Sequence, residues 1–197
     1  HETRDGIPGF ITITGGKLMT YRLMAEWATD LACKKLGVDK PCQTADIPLP
    51  GSDITEDDRY ASGSDLGGKA ARGRHGSRSV EIKHKDRYDE SLVCECEGVS
   101  IAEVNYAIDT LDAKNITNLR RRTRLGMGTC QGELCACRAA GLLSKANGCA
   151  RKSVEDLATF MNERWKGMFP VSWGDTLSEA QFTSWIYEGV CGLDAFD

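Results

Sequence analysis

Four of the nine cysteines in this chain fall into two tight clusters flanked by glycine. Cys94 and Cys96 lie in V-C-E-C-E-G, and after thirty-three further residues Cys130 and Cys135 lie in G-M-G-T-C-Q-G-E-L-C. Two sulfurs one residue apart can occupy neighbouring coordination positions of one centre, and glycines at 98, 126, 128 and 132 allow backbone amides to turn toward sulfur. The pattern points to a 2Fe-2S cluster held by Cys94, Cys96, Cys130 and Cys135. Structural zinc is the alternative, although zinc knuckles ordinarily separate both ligand pairs by two to four residues and C-x-C is tight for that geometry. Cys137 competes with Cys135 as fourth ligand, but the offset would rotate it by about 200° around a helix. Cys33, Cys42, Cys149 and Cys191 are isolated and read as small buried hydrophobes.

The remaining composition narrows the class. With 197 residues and 41% hydrophobic content the chain can bury one ordinary core or two small ones. A net charge of -4 argues against bulk nucleic-acid binding, which needs a basic face to neutralise phosphates. No stretch approaches the roughly 20 apolar residues of a membrane span, and the first residues lack the apolar region of a signal peptide. A cytosolic, reducing setting follows as the expectation, so the odd number of cysteines favours metal ligation over a disulfide framework. The missing initiator methionine and an early apolar strand suggest a piece of a longer polypeptide.

Residues 10–14 (F-I-T-I-T) predict a short strand running into Gly15 and Gly16. From Tyr21 to Leu36 the apolar residues recur at helical spacing, with Gly37 placed to end the helix. Alone, this strand, glycine turn and helix reads as a packing unit, compatible with an approaching anion or cofactor through helix-start amides and Lys17. Residues 51–90 are polar and glycine-rich and read as a linker, the alternative being short helices near 57–60 or 79–88. From residue 91 onward the pattern is helical. Ser100 and Glu103 form a capping box, Thr117 caps a shorter helix through Arg124, and further helices are predicted over 135–145, from Ser153 with Asp156, and from Ser178. The expected fold is therefore mainly α: residues 1–50 as one unit, 51–90 as linker, and 91–197 as a helical cluster-binding domain.

Two surface features stay open. Arg120, Arg121, Arg122 and Arg124 form a solvated helix face, or bring one or two guanidiniums near the cluster, or dock an acidic partner. The aromatics Phe169, Trp173, Phe182, Trp185, Tyr187 and Phe196 either close a small core or meet a partner protein.

The four-cysteine pattern, with G-V-S after the second cysteine and M-G-T-C-Q-G around the third, resembles the bacterioferritin-associated-ferredoxin-like 2Fe-2S domain. The four residues between the last two cysteines match the variant appended to flavin dehydrogenases. The segment I-T-I-T-G-G-K-L-M-T-Y-R-L-M-A-E-W-A resembles the end of the flavin domain in the FAD-dependent glycerol-3-phosphate dehydrogenase family. With R-R-R-T-R-L-G-M-G-T-C-Q-G-E-L-C and F-M-N-E-R-W-K-G, the chain is similar to the carboxy-terminal part of the catalytic subunit of its anaerobic members.

That resemblance implies that Gly15, Gly16, Lys17, Leu18, Met19 and Thr20 belong to the loop facing FAD, with Met19 where many relatives carry threonine. The glycine-rich FAD fingerprint and the catalytic base would lie upstream, so this stretch alone would be inactive. It implies oxidation of glycerol 3-phosphate to dihydroxyacetone phosphate through FAD, then electron transfer through the cluster. The implied partners are an iron-sulfur membrane-anchor subunit that reduces quinone and a second flavin subunit, which together would hold this protein on the cytoplasmic face of the membrane. An amino-acid or hydroxyproline FAD dehydrogenase, a ferredoxin-like adaptor and a zinc-stabilised interaction domain are the alternatives.

Overall fold

The computed structural model describes residues 6–52 and 65–193. They belong to two compact units divided after Ser52. The fold is mainly α, as the periodicity predicts.

In the first unit, a single 3-10 turn, Leu18–Thr20, leads into helix α1, Tyr21–Leu36. Gly37 ends α1 in the left-handed conformation, φ 68°, and Val38 donates to the Cys33 carbonyl at 2.9 Å. Arg22 of α1 donates to the Thr44 and Ile47 carbonyls and so ties the following loop to the helix. None of the described residues of this unit is buried. The strand expected at residues 10–14 is not formed. The two strands of the second unit, Leu92–Cys94 and Val99–Ser100, pair with each other, and among the described residues no ladder exists for 10–14 to join.

The second unit holds the core. Helix α2, Leu66–His75, is capped by Asp65, whose side chain accepts from the Gly68 amide at 2.8 Å. Strand β1, Leu92–Cys94, turns back antiparallel on β2, Val99–Ser100, pairing Leu92 with Ser100 and Cys94 with Val99. Then follow α3, Ile101–Asp109, α4, Ile116–Thr123, α5, Cys135–Asn147, α6, Ala150–Trp165, and α7, Asp175–Cys191. Val104, Ile116, Leu119, Leu125, Leu143 and Phe160 are among the residues that close one apolar core between these helices. A smaller cluster of Ala71, Ile82, Ala102 and Tyr106 seats α2 against α3.

Several local expectations need correction. The stretch read as a linker carries α2, whose apolar contribution to packing is small, Ala71, and whose polar anchors are Arg74 and His75, both contacting the fully buried Glu103. The alternative helix near 57–60 lies outside the described residues. Ser100 accepts from the Glu103 amide at 3.2 Å, but the Glu103 carboxylate turns to Arg74 instead of closing the box. Asn115, not Thr117, caps α4, accepting from the Asn118 amide at 2.7 Å. The next helix starts at Ala150 rather than Ser153, and Asp156 accepts from the Ile116 amide of α4 at 2.7 Å. The last helix begins at Asp175, one turn before Ser178.

Candidate metal centre

Cys94 ends β1 and Cys96 lies in the turn to β2, while the loop between α4 and α5 carries Cys130, with Cys135 opening α5. Folding brings the two loops together. The Cys96 and Cys130 Sγ atoms lie 3.5 Å apart, and Cys94 and Cys135 are near enough for each thiol to shift the titration of the other. Cys94 and Cys135 are buried, Cys130 is half-buried and Cys96 is exposed. Gly128 is required by this approach: a Cβ there would meet the Cys96 Cβ at 2.3 Å. Gly132 sits at φ +102° against the Phe160 ring, where a side chain would be strained and crowded.

Backbone amides converge on the sulfurs. The Cys94 thiol is pushed down to about 6, first by the hydrogen bond from Cys135 and then, against the opposing effect of burial, by the amides of Gly126 and Glu97. Cys96 is also lowered, first by the Cys130 amide and then by its thiol. Cys135 is raised, first because its interaction with Cys94 favours the protonated thiol and then because it is buried. The lowered thiols of Cys94 and Cys96 suit metal ligation.

Among the described residues, no three His, Cys, Asp or Glu side chains gather around a point that would hold one metal ion. The sulfurs instead form two close pairs, Cys94 with Cys135 and Cys96 with Cys130. Two pairs fit a binuclear centre, where each iron takes two protein sulfurs, better than one tetrahedral ion. Cys137 is exposed and contacts Cys191, whose thiol burial pushes up to about 11, so it faces away from the other four.

Arginines surround the two loops. From the basic run, Arg124 donates to Glu97 at 2.8 Å, Arg120 reaches Gln131 at 3.5 Å, and Arg122 donates to the Leu111 carbonyl at 2.6 Å, while Arg121 is exposed. Arg138 donates to the Val93 carbonyl at 3.2 Å and to Glu95 at 2.5 Å. Arg74 and Arg164 grip further loop carbonyls. Sequence reasoning missed Arg74, Arg138 and Arg164. The Asp65 cap before L-G-G-K-A-A was the one available signal for the helix that delivers Arg74.

Residues 92–145 match the family described as BFD-like 2Fe-2S binding domain. The chain carries such a domain. Over 98% of its length it is 56% identical to an anaerobic glycerol-3-phosphate dehydrogenase protein of Escherichia coli, one component of a multi-subunit enzyme, and covers 36% of that protein. It is 54% identical to the corresponding protein of Haemophilus influenzae, again over 98% of this chain and 35% of the relative. For the corresponding protein of Haloferax volcanii the identity is 39% over 98% of this chain and 33% of the relative. The chain thus spans about a third of the length of these curated relatives. No solved structure matches it.

The glycine loop of the first unit is arranged differently. Gly15 lies against Met24, where a Cβ would meet the methyl carbon at 2.3 Å, and Thr20 donates to the Lys17 carbonyl at 2.9 Å. Leu18 and Met19 are 86% and 92% exposed. Of the carboxy-terminal aromatics, Tyr187 is buried in the core, and Phe169, itself 38% exposed, stacks on Trp165 at 5.9 Å. Trp173, Phe182 and Trp185 are exposed, and Phe196 lies outside the described residues. No helix among the described residues is long and apolar enough to cross a membrane.

Proposed function

We propose that this chain is the electron-outlet portion of a dehydrogenase that oxidises sn-glycerol 3-phosphate to dihydroxyacetone phosphate through FAD. Cys94, Cys96, Cys130 and Cys135 would hold a 2Fe-2S cluster, which would supply a one-electron carrier at this site. Residues 1–50 are the end of the flavin-binding domain, with Gly15, Gly16, Lys17, Leu18, Met19 and Thr20 in its FAD-facing loop. Residues 91–197 are the cluster domain, to which α2 also belongs. A one-electron carrier beside a two-electron flavin lets the electron pair be divided and passed on singly. The onward route is a second flavin subunit, then a membrane-anchored iron-sulfur subunit where quinone is reduced, so this protein sits peripherally on the cytoplasmic face.

The observation that carries this reading is the pairing of thiols from two distant loops, Cys96 to Cys130 at 3.5 Å, inside a stretch matching a 2Fe-2S family. The similarity to the three dehydrogenase proteins supports the substrate and the flavin. Anaerobic reconstitution is expected to load about two irons and two sulfides per chain. Cys94→Ser or Cys130→Ser abolishes the bleachable visible spectrum and Cys149→Ser keeps it. Zinc without sulfide, or a spectrum that survives all three substitutions, would refute the ligand set. Reduction of an artificial acceptor by the longer protein with glycerol 3-phosphate, set against amino acids and hydroxyproline, tests the substrate.

A further inference from the structure

The family match stops at residues 92 and 145, yet both cysteine loops are held from outside it. Arg74 of α2 donates through Nη1 to the Glu97 carbonyl at 2.7 Å and through Nη2 to the Gly98 carbonyl at 3.1 Å. Its Nε donates to Glu103 at 2.8 Å, and its side chain is only 11% exposed. On the second loop, Arg164 of α6 donates through Nη1 to the Cys130 carbonyl at 3.3 Å and to the Gln131 carbonyl. Its Nη2 donates to the Tyr187 hydroxyl at 2.9 Å, and that hydroxyl donates to the Cys130 carbonyl at 2.5 Å. The guanidinium also stacks over the Tyr187 ring, 4.3 Å from its centroid.

These carbonyls belong to the cysteine loops themselves: Glu97 directly follows Cys96, and Cys130 carries one of the four sulfurs. These loops carry glycines at 98, 126, 128 and 132, and the arginine contacts add to local turn bonds such as that from the Glu133 amide to the Cys130 carbonyl at 3.3 Å. An arginine fork can hold two carbonyls at once in fixed geometry, which a lysine cannot.

We propose that Arg74 and the Arg164–Tyr187 pair are positioning residues of the cysteine centre, so that α2, α6 and α7 are parts of it and not flanking structure. The inference rests on the four cysteines being ligands. It follows that a piece trimmed to residues 92–145 would keep every sulfur and lose both supports.

The test is made on the full chain, loaded with iron and sulfide without oxygen. Arg74→Gln alone would leave the Glu103 charge buried, so it is made together with Glu103→Gln; Arg164→Gln and Tyr187→Phe complete the set. Iron release to a ferrous chelator is expected to quicken about tenfold or more in the first two, as for other outer supports of metal ligands, and less in Tyr187→Phe. Amide hydrogen exchange at 97–98 quickens with the Arg74 change, and at 130–131 with the Arg164 and Tyr187 changes, already in the metal-free chain. Arg164→Gln moves the midpoint potential to a more negative value, because a lost cation disfavours the reduced, more anionic state. Arg164→Lys restores the potential but not the slow release, a split that a general loss of stability would not produce. Failure of the unsubstituted chain to take up iron sinks the ligand assignment. Normal uptake, with release and exchange unchanged in all variants, sinks the positioning role alone.

Discussion

The glycine loop at residues 15–20 and the cysteine loops of the second unit are built from similar materials, tight glycine turns feeding helix starts. They end in opposite states. Around Cys94 and Cys135 every neighbour is in place: amides face sulfur, carbonyls are gripped, and Val99 and Leu125 are fully buried. Around Lys17, Leu18 and Met19 the turn is formed and its apolar side chains face outward. Local chemistry shapes a turn, but burial needs a partner surface, and only the second unit supplies its own. Completeness of the polar contacts, more than the turn itself, distinguishes a self-sufficient site from one that needs more protein.

The contrast can be broken most forcefully at Glu103. Glu103→Ala leaves the Arg74 cation buried without its carboxylate and is expected to cost about 3–5 kcal/mol in denaturant unfolding of the second unit; a loss below about 1 kcal/mol would mean that α2 is an ornament. Leu143→Ala, at a fully buried position, should cost about 2–5 kcal/mol. The matching change in the first unit, Leu23→Ala, should cost under about 0.5 kcal/mol in this chain, and clearly more in the longer protein if a flavin domain covers α1. Equal costs in both contexts would remove the case for that cover.

A finer test is Asn115→Ala, which deletes the α4 cap and should lower stability by about 1 kcal/mol, read as a reduced melting temperature. The smallest effect is a change in acid sensitivity. Tyr106 donates to Glu81 at 2.7 Å, and this bond, with Arg78 beside it, holds the Glu81 carboxylate below its ordinary range. The folded value lies below the unfolded one. That stabilisation is therefore full above the ordinary carboxylate pKa and fades as pH falls through the lowered one. Glu81→Gln should flatten the melting profile only below about pH 5; a change confined to neutral pH would contradict it.

The parts of the molecule legible in its sequence are those whose signal is local. Helix α1 shows in its apolar period and Gly37, and the cysteine loops show in their spacing and glycines. Helix α2 does not, because its anchor is an ion pair between Arg74 and Glu103, which leaves no trace in apolar periodicity. Glu103 itself fits a capping pattern three residues after Ser100, and a distant arginine competes successfully for its carboxylate. The segment 10–14 errs the other way: F-I-T-I-T has the composition of a strand, but a strand exists only where a neighbour accepts its hydrogen bonds. At the centre, the sulfurs were readable and the arginines behind them were not, since contacts to backbone carbonyls place no demand on nearby sequence.

Asp156 has one more implication. Its carboxylate receives the first amide of a helix forty residues earlier, so α4 cannot finish its own beginning until α6 has arrived. Synthesis from the ribosome would deliver the donor well before the acceptor. Both sulfur-bearing loops precede Asp156 in the chain, and their lasting arrangement should therefore be among the last events of folding, after the thiols have already spent time in the open.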